Sequence, residues 1–109
     1  MILNFPSEEV RDICEKRSVA TTVLGPMGAL ELAQVLADMD ACTTFSEFAS
    51  IYPISIVDVS DSEKAISLPT AGRLTIRSGH PTYPQPPAQV TDWDHVTRIR
   101  ILSIEAANG

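Results

Sequence analysis

Two stretches of the chain alternate apolar and polar residues with a period of two. In Val96-Thr-Arg-Ile-Arg-Ile-Leu-Ser-Ile104, Ile99 and Ile101 fall on one side, and Arg98 and Arg100 on the other. In Gly72-Arg-Leu-Thr-Ile-Arg77, Leu74 and Ile76 oppose Arg73, Thr75 and Arg77. Successive side chains of a strand project to opposite faces, so each stretch predicts a β-strand with one apolar and one guanidinium side. Pairing the two would gather four arginines on one face of one sheet.

Upstream the period changes. Ile2-Leu-Asn-Phe5 is a short apolar run ended by Pro6, which predicts a strand at a sheet edge. Ser7 followed by Glu8 and Glu9 suits a helix start, with a capping hydroxyl and acids at the positive end of the dipole. Val10, Ile13, Cys14 and Arg17 continue at helical spacing and predict a helix from Ser7 to Thr22, broken at Gly25-Pro26. A second helix follows Pro26. Leu32, Val35, Leu36 and Met39 form one stripe, and Leu30, Ala33, Ala37 and Ala41 a second. Together they predict a helix buried on much of its circumference. Thr43 or Thr44 caps a short continuation from Phe45 to Ile51.

After Pro53 the pattern returns to strands. Ile54, Ile56 and Val57 read as one strand, residues 58–64 as a polar turn, and Ala65-Ile-Ser-Leu68 as another strand. Pro69-Thr-Ala-Gly72 turns into the arginine strand. His80-Pro-Thr-Tyr-Pro-Gln-Pro-Pro87 predicts an extended, rigid loop, and Asp92-Trp93-Asp94 leads into the last strand. Trp93 reads as an anchor that pins this loop to the body. The plan is α+β and a single domain over 1–109: an N-terminal strand, two antiparallel helices, and an antiparallel meander whose Ile/Leu face the helices cover. The arginine face is left looking outward.

Composition refines this. The chain has 109 residues and a net charge of −6. Only eight residues are Lys or Arg, so the four strand arginines are half of the positive charge. All four lie in 65–109, while eleven of the fourteen acids lie in 1–64. An acidic total argues against indiscriminate nucleic-acid binding but leaves room for a local basic site. Cys14 and Cys42 sit among apolar neighbours without Cys-x-x-Cys spacing and read as reduced small hydrophobes. The N-terminal residues lack the basic region of a signal peptide, and no run of about 18 apolar residues predicts a membrane span. The expectation is a cytoplasmic protein with no membrane, metal or cofactor requirement; self-association is left open.

The run Val10-Arg-Asp-Ile-Cys-Glu-Lys-Arg-Ser-Val-Ala20, Leu24-Gly-Pro26 and Leu36-Ala-Asp-Met-Asp-Ala41 resemble the RelE/HigB/ParE toxin superfamily, in particular its plasmid-maintenance killer branch. Gly72-Arg-Leu-Thr-Ile76 and Asp92-Trp-Asp-His-Val-Thr-Arg-Ile-Arg-Ile-Leu-Ser-Ile104 resemble the same branch in the same order. The resemblance implies a twisted antiparallel sheet with two N-terminal helices. It implies the toxin subunit of a type II toxin–antitoxin module, with a cognate antitoxin as partner and mRNA on the ribosome as target. The implied activity is metal-independent endoribonuclease action. Arg73 matches the family's phosphate-stabilising arginine, while Arg77, Arg98, Arg100 and Lys64 are candidate RNA contacts. Where relatives carry a basic residue before the central turn, this chain has Ile54, Ile56 and Val57. It lacks their C-terminal aromatic–His pair, finishing Glu105-Ala-Ala-Asn-Gly109. These departures open an alternative, a catalytically degenerate homologue that binds its partner or RNA; a ParE-like action on gyrase is a third. His80 and His95 match no family position and read as surface groups. The plainest reading of the arginines is a solvated strand face.

Overall fold

The structure is a computed structural model, and it describes residues 1–53, 55–60, 62–79 and 93–106. The elements are β1 (Ile2–Asn4), α1 (Glu8–Glu15), α2 (Arg17–Ala41), α3 (Phe45–Ala49), β2 (Ile56–Asp58), β3 (Glu63–Leu68), β4 (Gly72–Ser78), a one-turn 3₁₀ helix (Trp93–His95) and β5 (Arg98–Ala106). The expected conformations of Ile54, of 80–92 and of 107–109 lie outside the described residues.

The five strands form one sheet in the order β1-β5-β4-β3-β2. β2 to β5 are an antiparallel meander, but β1 runs parallel to β5 at the edge, so the sheet is mixed rather than wholly antiparallel. The chain leaves β1 through the helices and reaches β5 only after the meander, which frees it from hairpin geometry. β1 is also tied at its start: the Met1 nitrogen donates to the carbonyls of Met39, Asp40 and Cys42 at the C-terminal end of α2. Those carbonyls have no partner within the helix and carry the negative end of its dipole.

The core lies between α2 and one sheet face. Leu32, Val35, Leu36 and Met39 meet Ile66, Leu74, Ile76, Ile99 and Ile101, and α3 adds Phe45 and Phe48. Full burial of a side chain of this size stabilises by about 1.5–3 kcal/mol. The expected first stripe of α2 is therefore its buried stripe. The second is not: Leu30 is 47% exposed, and Ala33, Ala37 and Ala41 are also exposed. A helix over one sheet face has a single layer to pack against, so the wide apolar arc is not wholly used.

The N-terminal helix is shorter than expected. Ser7 caps it, its side chain accepting from the Val10 amide at 3.3 Å, but the backbone at Lys16 is extended and ends α1. Glu15-Lys16-Arg17 contains no breaker, so packing sets this bend. Ile13 and Ala20 are buried on either side of it, with Lys16 and Arg17 exposed at its apex. The expected break at Gly25-Pro26 is present inside α2, where Gly25 adopts φ 81° and ψ 164°. That region is essentially open to glycine alone, and Pro26 is preset for the first turn of the segment that follows.

α2 is long and apolar enough to cross a membrane by length and composition, which corrects the expectation that no segment passes that test. The break at Gly25 divides it into 17–24 and 26–41, each short of the roughly 20 residues a bilayer needs. Its Leu32–Met39 stripe is moreover spent on the sheet.

α2 meets the β3–β4 turn closely. Glu31 Oε1 accepts from the amides of Thr70 at 2.9 Å and Ala71 at 2.7 Å. Beside it, a Cβ added at Gly28 would lie 3.2 Å from the Ala71 Cα and 3.0 Å from the Leu24 Cβ. The turn is clamped by Glu31 and has little room to give. Gly28→Val is expected to destabilise the fold by about 1–3 kcal/mol, as overpacking does, despite removing a helix glycine. Urea unfolding of the two proteins checks this; an equal or higher midpoint for the variant would refute the tight contact.

Candidate functional site

The register decides what shares a face. Arg77 stands opposite Arg100, Thr75 opposite Ser103, and Arg73 opposite Glu105. On the other side of β4, Arg77 faces Glu63 and Arg73 faces Ser67. At the β1 edge, Arg98 pairs with Ile2 and Arg100 with Asn4. Directly opposed residues project to the same side of a sheet. Arg73, Arg77, Arg98 and Arg100 therefore gather on the face away from the helices, as the alternation implied.

A bulge makes this arrangement compatible with the core. β4 advances one residue from Thr75 to Ile76 while the partners on β5 step from Ser103 to Ile101, leaving Leu102 as the extra residue. Such an insertion reverses the alternation on one strand. As a result Ile99, Ile101 and Ile104 all take positions opposite core-side residues of β4, and Glu105 lands across from Arg73.

Lys64 does not join the arginines. The structure starts β3 at Glu63, so Lys64 lies in a strand and not in a turn, opposite Ile76 on the apolar side. Its ammonium pairs with Asp58 and sits 5.1 Å from the Trp93 ring centroid and 6.0 Å from that of Phe45. A lysine held between a carboxylate and two aromatic faces is a structural cation. Trp93 packs on Phe45 with ring centroids 4.7 Å apart; the loop it is expected to pin lies outside the described residues. His95 is exposed beside it in the 3₁₀ helix, and His80 lies outside the described residues.

Two residues absent from the sequence reading support the face. Arg100 Nη1 donates to Asn4 Oδ1 at 3.3 Å, which orients one guanidinium across the β1–β5 boundary. Gly79 makes room for it: a Cβ there would lie 2.8 Å from Asn4 Nδ2. These contacts join residues almost a full chain apart, and no local pattern announces them. Glu63 and Glu105 are equally nonlocal; the register places them across from Arg77 and Arg73 on the same face.

Arginine stays protonated at any physiological pH and offers five donors in a planar fork. The face can therefore clamp phosphate or carboxylate oxygens, while its arginines do not shuttle protons. Like charges directly opposed across strands destabilise a sheet. Arg77 and Arg100 are directly opposed in register, so the two cations share that face.

The remaining perturbed groups lie off this face. Burial pushes the Cys14 thiol up to about 12, with a smaller contribution from Glu15, and burial also raises Cys42. Both cysteines are free thiols, and neither is a thiolate near neutrality, so they serve packing. Tyr52 donates to Asp38 Oδ2, and this hydrogen bond, then burial and the Asp38 charge, push its phenol up to about 12. Among the described residues, no group of three or more His, Cys, Asp and Glu could hold a metal ion. No family model matches the chain, and comparison with curated proteins and with solved structures gives no match.

The Tyr52 shift carries a pH signature. A pKa raised in the folded state adds stability that is fully present below the unfolded value of about 10. That stability is lost as pH rises through about 12. Tyrosinate absorbance is expected to show one of the two tyrosines titrating late in the native protein. Asp38→Asn should move that step back toward 10 and flatten the fall of the urea midpoint above pH 10. Superimposable titrations in the two proteins would contradict the assignment.

Proposed function

We propose that the protein is the toxin-type subunit of a type II toxin–antitoxin module, acting in the cytoplasm, whose open sheet face grips the RNA backbone. The observation that carries this is the Arg77–Arg100 pair, two arginines opposed in register with Arg73 and Arg98 on the same face, away from the helices. Arginine forks suit phosphate geometry, and cations aimed at a transferring phosphate stabilise the charge that develops on it. The resemblance to RelE- and HigB-type toxins supplies the target, mRNA on the ribosome, and the partner, an antitoxin that shields the face. In this reading Arg73 stabilises the phosphate undergoing cleavage and the other three arginines hold the strand.

A second reading is a degenerate homologue that binds RNA without cutting it. Glu63 and Glu105 favour it, since each sets a negative charge against one of the arginines and tempers the field.

RNA binding followed by fluorescence anisotropy against salt tests both. The native chain should bind single-stranded RNA with a salt-dependent affinity. Removing two phosphate contacts in Arg77→Gln/Arg100→Gln should lower the magnitude of the log–log salt slope by about 1.4. Growth on induction and RNA integrity then separate the two. Arrest with cleavage that Arg73→Ala abolishes supports the interferase; binding without arrest or cleavage supports the degenerate homologue. An unchanged slope in the double variant would remove the arginine face from either reading.

A further inference from the structure

We propose that the outer edge of β2 is a self-association surface, on which a second copy of this chain adds its own β2 antiparallel and joins the two sheets into one. β2 ends the strand order, and among the described residues nothing pairs with its outer side. The pairing with β3 fixes which groups face outward. The Ser67 amide donates to the Ser55 carbonyl at 2.7 Å, and the Val59 amide to the Glu63 carbonyl at 3.0 Å. Backbone groups of an antiparallel strand alternate in direction from one residue to the next, so Ser55, Val57 and Val59 address β3. The amides and carbonyls of Ile56 and Asp58 therefore point away from the sheet. Such a row is a template for another strand unless Lys, Pro or a bulge blunts it. Ser55-Ile-Val-Asp-Val59 contains neither Lys nor Pro, β2 pairs with β3 in an unbroken register, and the Asp58 carboxylate is already paired with Lys64. Val57 and Val59 stand exposed along this edge.

The same row fits its own copy in one register. Two identical strands meet about a twofold axis, and each contact is made twice. An axis at Val57 sets Ile56 of each copy against Asp58 of the other, and each of these pairs exchanges both N–H···O bonds. Val57 then faces its own counterpart, a close pair of β-branched side chains of the kind that stabilises a sheet. An axis at Asp58 would oppose two carboxylates, and an axis at Ile56 would make one hydrogen-bonded pair within β2 in place of two. Val57 stands opposite Ala65, and Ala65 opposite Thr75, on the arginine side of the sheet. Opposed residues share a side, so the two arginine faces would lie on the same side of one continuous sheet. β2 has three residues, so the contact is small and the association weak and concentration-dependent.

Sedimentation equilibrium of the full chain from about 10 μM to 1 mM, the range in which a small interface fills, tests this. The mass should rise with concentration from 11.8 kDa toward twice that value. Val57→Lys opposes two ammoniums across the axis and should weaken association about tenfold or more, and Val57→Glu should do the same with two carboxylates. An equimolar mixture of the two variants should associate again, because the ammonium of one copy then faces the carboxylate of the other. Misfolded variants would show no such recovery. A mass of 11.8 kDa at every concentration, association unchanged by either substitution, or no recovery in the mixture would overturn the proposal.

Discussion

The pairing of β4 with β5, and the bulge within it, is the constraint on which the rest depends. It places Ile76 against Ile101 and Leu74 against Ile104, which builds the sheet side of the core. The same register sets Arg77 against Arg100 on the reverse side. A strand has a side-chain period of two, so a slip of one residue would bury guanidiniums and expose isoleucines. Burying an unpaired charge costs far more than a hydrophobic contact returns. The apolar core therefore holds the register that opposes the two arginines.

A second set of contacts attaches the helical layer to this sheet. Glu31 reaches from α2 to two amides of the β3–β4 turn, and Gly28 lets the helix approach Ala71 closely. Hydrogen bonds to a carboxylate are stronger than those between neutral groups, so one side chain can fix the turn against the helix.

Charge follows the same division. The helical half carries most of the acids, and the strands after residue 64 carry four of the eight basic residues on one face. The field of that face is moderated by Glu63 and Glu105, which reach it only through register. Lys64 shows the converse. It adjoins Glu63 in sequence but points to the other side, where Asp58 and two rings hold it.

Much of the fold was legible in sequence because it rests on local periodicity. The alternation in 72–77 and 96–104, the Leu32–Met39 stripe, the Ser7 cap and the Gly25-Pro26 break each encode their outcome within a few residues, and the arginine face follows from two of them. What tertiary structure alone decided required residues far apart. The parallel β1–β5 pairing, the Asn4–Arg100 bond, the bulge at Leu102, the bend at Lys16 and the side taken by Lys64 have no local signature. The exposure of Leu30 and its neighbours belongs with them. An amphipathic pattern states which residues can be buried; the number of layers that pack around a helix determines which of them are.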